Sequence, residues 1–262
     1  MTATYTYTRM WHPSRVEFAV LVMGYVDLHA HFLPALDDGS PDLATSMAML
    51  RGLAGVGFER VTATPHQYAN RYLPERGQID TMFTLVRESA AADGIRLELS
   101  LAAENMWDDV FHGRWPDGSF PRYDGGKSFL FEIRPEELPL NFERNLFQLQ
   151  VKGYRPVMAH PERYAPFWND FERLERIGEA GCALLVDLGA LTGYHGPRQQ
   201  KAGRRLVESG VAHAVASDAH NVQDVEVARE GIEWIRKKLG LDAVTRLCDE
   251  NPRRLLAGQA PD

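Results

Sequence analysis

Residues 27–39 read Asp-Leu-His-Ala-His-Phe-Leu-Pro-Ala-Leu-Asp-Asp-Gly, and their first five residues set the frame for the rest of the chain. Asp27 to His31 close an apolar run that begins at Leu21 and reads as a strand. Side chains on a strand repeat every two residues, so His29 and His31 share a face. Two imidazoles on one face are a beginning for a divalent-metal site. Alone, an HxH pair is weak evidence for one.

Its weight comes from what stands at the ends of later strands. Short apolar runs alternate with amphipathic stretches along the chain, the mark of β-α units around a parallel sheet. The strand candidates are 21–29, 60–64, 96–102, 128–133, 154–159, 183–188 and 212–217. They are rich in Val, Leu and Ala without strict alternation, as strands buried on both faces are. The second ends at His66, the third near Glu104, the fourth at Glu132, the fifth at His160, and the seventh at Asp218 with His220 two residues on. The C-terminal ends of parallel strands are where barrels of this kind build active sites.

Helices are expected between the strands. Ser40-Pro41 reads as a capping residue and first-turn proline for a helix closed by Gly55 or Gly57. Further helices are expected at 78–92, 141–152, 170–180, 197–209 and 222–239, with a terminal pair over 241–257 interrupted at Asn251-Pro252. Residues 105–126 scatter prolines and glycines among aromatics and read as an elaborated loop. Trp107, Phe111, Trp115, Phe120 and Tyr123 read as its mini-core, with one or two lining a pocket mouth.

Composition narrows the function. In 262 residues, 44% are hydrophobic and 25% charged, ordinary globular usage for one α/β domain. The formal charge of −7 argues against nucleic acid, whose phosphates are bound through surplus Lys and Arg. The run Phe18–Met23 is too short to cross a bilayer, and no small-x-small cleavage site follows it, so a cytoplasmic protein without membrane insertion is expected. Two cysteines, Cys182 and Cys248, carry no metal-site spacing and read as reduced, buried thiols. Cys248 and Arg254 do stand at the Cys-x5-Arg spacing of cysteine phosphatases. Pro252 would remove an N–H that a phosphate cradle needs, however, and Asp249 and Glu250 would repel the substrate.

The blocks 27–39, Thr62–His66 (TATPH), Phe129–Ile133 (FLFEI), Val157–Tyr164 (VMAHPERY) and Val215–Asn221 (VASDAHN) resemble the PHP (polymerase and histidinol phosphatase) superfamily. More narrowly they resemble its manganese-dependent tyrosine phosphatases encoded with capsule and exopolysaccharide genes. The resemblance spans Val26 to Leu256. It implies a distorted seven-stranded (β/α)7 barrel holding three divalent metals, Mn2+ first, with Fe or Zn as alternatives. His29, His31, Glu104 and Asp218 would hold the first ion. Glu104 would bridge to a second, completed by Glu132 and His160, while Asp38, His66 and His220 would hold the third. Arg163 would grip the substrate phosphate. By spacing alone Asp37 could serve in place of Asp38.

The expected substrate is a phosphotyrosine protein, with a bacterial tyrosine kinase as candidate partner and the oligomeric state open. The alternatives are another phosphoesterase of the same scaffold, such as a histidinol-phosphate phosphatase, and an inactive kinase-docking regulator. Relatives start only a few residues before the HxH pair. Residues 1–22 are therefore expected to be an extension, and 23–262 the phosphatase domain. His12, His112, His195 and His213 match no motif and read as surface or packing residues. Asp187 reads as structural or supporting, and Glu162 as orienting Arg163 or capping the segment that follows.

Overall fold

The computed structural model describes residues 24–262; the proposed extension lies outside them. Nine strands run through these residues: β1 (Tyr25–Ala30), β2 (Phe58–Ala63), β3 (His66–Gln67), β4 (Glu98–Leu101), β5 (Glu104–Met106), β6 (Ser128–Glu132), β7 (Arg155–Ala159), β8 (Ala183–Asp187) and β9 (Ala214–Ala216). Every strand pairing is parallel. The strands form two sheets, one in the order β1-β2-β4 and one in the order β3-β5-β6-β7-β8-β9. The chain is thus an α/β protein with parallel sheets, and its strands fall into two sheets rather than one closed sheet of seven.

Two of the expected strands, 60–64 and 96–102, are each followed after a two-residue break by a second, unexpected segment. Pro65 has no N–H to give to a ladder, and the chain leaves the first sheet at Thr64-Pro65 and enters the second at His66. The run after β4 does the same at Ala102-Ala103, and β5 then pairs with β3 from His66 opposite Glu104. These two breaks place His66 and Glu104 side by side at the start of new strand segments. At the other side, the Asp218 N–H donates to the His29 carbonyl at 2.9 Å, and the His31 N–H to the Ala219 carbonyl at 2.8 Å. The Asp27 carboxylate accepts the Ser217 N–H at 3.1 Å, adding a side-chain bond between the first strand and the segment after the last.

Strand alternation sorts the core into two bodies. Phe129, Phe131, Met158, Leu184, Val186 and Val215 pack with the helices in the larger one. Their neighbours Leu130, Val157, Ala159, Ala183, Leu185, Ala214 and Ala216 form the smaller, on the opposite strand faces, with Val26 and Leu28. Alanines are frequent there, as suits a confined space. The fully buried Tyr123 belongs to it too, donating its hydroxyl to the Leu28 carbonyl at 3.0 Å.

The helices largely follow the expected periodicity, with three corrections. The first helix, Leu43–Val56, is capped by Asp42 rather than Ser40: Asp42 accepts the Thr45 N–H, while the Ser40 hydroxyl donates to the Asp42 carbonyl at 2.8 Å. Gly57 closes it at φ 111°, a conformation open to glycine. Residues 105–126 carry regular structure after all: β5, a short helix Asp109–Arg114 capped by Asp108, and a turn of 3-10 helix at Tyr123–Gly125. Their aromatics do not form a separate mini-core: Trp107, Phe111 and Phe120 pack into the larger core with Trp115 against it, and Tyr123 belongs to the smaller one. At the C-terminus the backbone stays helical through Asn251-Pro252. The missing proline N–H is absorbed by a widened π-type turn at Arg246–Glu250. No helix among the described residues is long and apolar enough to cross a membrane.

Candidate metal centre

Six strand ends deliver histidines and carboxylates to one place. The Nε2 atoms of His29 and His31 lie 3.0 Å apart. His29 Nε2 is 3.3 Å from Glu104 Oε2 and 3.1 Å from Asp218 Oδ1, and His31 Nε2 is 3.5 and 3.6 Å from the same two oxygens. His66 Nδ1 stands 3.0 Å from Glu104 Oε2 and 3.1 Å from Glu132 Oε1. Its Nε2 is 3.2 Å from Asp38 Oδ1, which is 3.7 Å from His220 Nε2. His160 Nε2 meets the other Glu104 oxygen at 2.8 Å. Three groups are compact enough for an ion: His29–His31–Glu104, His66–Glu104–Glu132, and His31–Asp38–His66–His220. His31 and His66 therefore each stand between two groups, where the resemblance gave each to one, and Asp218 joins none of the three. His160 approaches Glu104 without joining a compact group.

The donor set fits divalent ions. Donor atoms each about 2.1 Å from a shared ion stand about 3 Å from one another, and that is the spacing here. Four buried atoms, His66 Nδ1, Glu104 Oε2, Glu132 Oε1 and Asp218 Oδ1, have no hydrogen-bond partner among the described residues. Yet each lies within 3.1 Å of another donor of the cluster. Buried polar atoms are normally paired, so atoms that crowd without pairing are set for a cation. Burial alone would raise the Glu104 carboxyl, but His29 and His66 outweigh it and hold that group well below the usual range.

The two neighbouring aspartates differ in their surroundings. Asp37 is turned inward, its Oδ2 2.9 Å from His31 Nδ1 and accepting the His66 N–H at 3.0 Å. Burial opposes its ionisation and the His31 imidazole overcomes that, leaving the carboxyl below its ordinary value. It fixes the ring of His31 with Nε2 toward the cluster, the role of a carboxylate behind a ligating histidine. Asp38 reaches His66 and His220 and is half-exposed. Gly39 permits this loop, because a Cβ there would lie 2.2 Å from the His31 carbonyl oxygen.

Arg163 borders the cluster with its guanidinium between Asp187 and Asp218. Asp187 also meets His195 Nε2, and its Oδ1 accepts the Gly189 N–H at 2.7 Å. His195, without a motif in the sequence, thus stands beside the arginine. Glu162 accepts the Asp187 N–H at 3.3 Å instead of touching Arg163. Burial, then the charge of Asp187, push its carboxyl well above the usual range. Two donors sit in left-handed backbone, His160 at φ 34° and Asp218 at φ 47°.

A cavity of about 190 Å3 opens onto the cluster, lined by Asp38, His66, Glu132, His160 and Arg163 among others. None of the five loop aromatics reaches it. Its rim carries Tyr68, Arg71 and Tyr72, which sequence reasoning passed over. The only signal was aromatic-basic clustering just after the His66 block.

Fold and donor set together define an α/β protein with a candidate metal centre where the β1, β6, β7 and β9 ends meet the starts of β3 and β5. The particular family follows from comparison. The profile of the family described as "Capsular polysaccharide synthesis, CpsB/CapC" matches residues 25–257, and the chain belongs to that family. It is 30% identical to the tyrosine-protein phosphatase YwqE of Bacillus subtilis (strain 168), across 89% of this chain and 92% of that one. It is 24% identical to the tyrosine-protein phosphatase CpsB of Streptococcus pneumoniae, across 89% and 99%. A crystal structure from work on YwqE and CpsB, described as unique metal-dependent tyrosine phosphatases, superposes with a TM-score of 0.83 at 30% identity, covering 90% of this chain and 96% of that one. An organophosphorus hydrolase variant from Deinococcus radiodurans shares the fold alone, at a TM-score of 0.54 and 14% identity over 89% of this chain and 93% of its own.

Proposed function

We propose that this chain is a metal-dependent protein-tyrosine phosphatase of capsule or exopolysaccharide regulation. The observation that carries it is the crowding of nine donor side chains, His29, His31, Asp38, His66, Glu104, Glu132, His160, Asp218 and His220, beside one arginine at a single cavity. Three divalent ions, manganese first, are the reading of that set. The relatives' phosphatase names and the shared metal dependence support it. The two parallel sheets are read as arcs of one distorted seven-position barrel, since two chain segments cross between them and backbone bonds join β1 to the residues after β9. Residues 23–262 make up the phosphatase unit, so a chain started at Met23 should turn over at the full rate.

When bound, divalent ions supply Lewis acidity toward water and the phosphoryl oxygens. The chain's own residues do the rest. Arg163 offers a planar fork to the phosphate dianion, exchanging a carboxylate partner for it. Asp187 and His195 keep that fork in place. The buried walls exclude bulk water and strengthen each charge interaction. Four ligand carboxylates contribute −4 against +6 from three divalent ions, and Arg163 with its partner Asp187 adds nothing net, leaving +2. That makes a receptive site for an anion on a chain of charge −7.

The leaving group sets the test. A phenol with a pKa of about 10 departs without much help, whereas an aliphatic alcohol depends more on a positioned proton donor. Efficiency on a phosphotyrosine peptide should exceed that on a phosphoserine peptide and on histidinol phosphate, each measured as kcat/KM with manganese supplied. Equal or better turnover of histidinol phosphate would replace this reading with the other phosphoesterase.

A further inference from the structure

The rim of the cavity carries an unusual turn. Between Tyr68 and Tyr72 the backbone folds back on itself. The Tyr68 N–H donates to the Tyr72 carbonyl at 2.6 Å, the Tyr72 N–H to the Tyr68 carbonyl at 3.0 Å, and Asn70 takes φ 62°. The Ala69 N–H is tied to Asp108 Oδ2 at 2.9 Å, fastening the turn to the cap of the Asp109–Arg114 helix. The Tyr72 ring stacks on the His66 imidazole, centroids 5.7 Å apart and planes 18° from parallel. The exposed Arg71 guanidinium lies 5.9 Å from the Tyr68 ring centroid and 5.6 Å from that of Tyr72. All three side chains line the cavity.

The charge state of the turn carries the argument. Arg163 is held by two carboxylates, whereas no carboxylate of the described residues lies within 4.0 Å of Arg71, although Asp38 and Glu132 line the same cavity. Aromatic faces attract a guanidinium without neutralising it. Arg71 is therefore a held, uncompensated cation at the entrance of a site on an acidic chain. A phosphate drawn to the buried cluster lies deeper. What passes an exposed cation at the mouth is the polypeptide that bears the phosphotyrosine.

We propose that the Tyr68–Tyr72 turn is the substrate-recognition wall of the site, with Tyr72 flanking the tyrosyl ring and Arg71 pairing with acidic residues beside it in the substrate chain. This deepens the phosphatase reading and rests on it. The preferred substrate is then a phosphotyrosine in an acidic sequence, and Arg71 is a specificity residue that leaves the chemical step alone.

The test compares wild type, Arg71→Ala and Arg71→Lys, with manganese, on three substrates: an acidic phosphotyrosine peptide, the same peptide with neutral flanks, and p-nitrophenyl phosphate. Arg71→Ala should lose about fivefold in kcat/KM on the acidic peptide, the factor expected of an exposed ion pair. The loss should fall on KM and be clearly larger on the acidic peptide than on the neutral-flanked peptide or p-nitrophenyl phosphate. Arg71→Lys should keep most of the preference, since a point charge suffices at an exposed pair, and salt at 0.5 M should erase it. An equal loss on all three substrates would place Arg71 on the phosphate and overturn the proposal, as would no loss on the acidic peptide. Wild-type inactivity on all three would bring down the phosphatase reading and this inference together.

Discussion

Asp37 and Asp38 are adjacent in sequence and opposite in surroundings, one locked behind His31 and the other open to the cavity. Asp37→Asn keeps the shape but removes the charge that sets the His31 ring, so metal affinity should fall ten- to a hundredfold by titration calorimetry, with the fold retained. Arg163→Lys should behave differently. Lysine keeps the charge and loses the planar fork, so turnover should drop at least tenfold while bound metal, by elemental analysis, stays at the wild-type level. Sequence spacing could not choose between the two aspartates, because both directions fit a loop after the HxH pair. The choice depends on Gly39 folding the loop onto His31, a contact between backbone atoms that leaves no mark in a residue pattern. His195 was illegible for a similar reason: it reaches Asp187 only through the tertiary fold.

Among the elements, the helix Val222–Leu239 was legible to the residue, since its capping asparagine and apolar face both stand in the sequence. Gly231 on that helix shows what was not legible. A Cβ there would lie 2.5 Å from the Leu188 carbonyl oxygen, so the helix packs onto the Leu188–Thr192 turn through a missing side chain. Gly231→Ala gains helix propensity and should still lose about 1–3 kcal/mol to overpacking, seen as a Tm lower by several degrees. The strands were found within a few residues, but the breaks at Thr64-Pro65 and Ala102-Ala103 were not. A run of apolar residues looks the same whether the partner strand changes midway or not. Pro65 was the one hint, and nothing comparable marks Ala102-Ala103.

Across the whole molecule, the cluster is the place where the two sheets are tied. Its donors come from β1 and the residue after it, from the loop beyond, from the β3, β5, β6 and β7 ends, and from the segment after β9. Ions bound there stabilise the folded chain by mass action. Chelation should lower Tm and speed amide exchange at the β1–β9 contacts, with manganese restoring both; an unchanged Tm would separate the cluster from the stability of the sheets. The left-handed backbone at His160 and Asp218 carries a consequence of another kind. Each such residue costs about 1 kcal/mol or more, which glycine would avoid. A laboratory lineage selected for heat tolerance alone, with no demand on turnover, would be expected to drift toward glycine or asparagine at those two positions. Such a lineage would become sturdier while its cluster dissolved, so heat tolerance and metal loading would part company at His160 and Asp218.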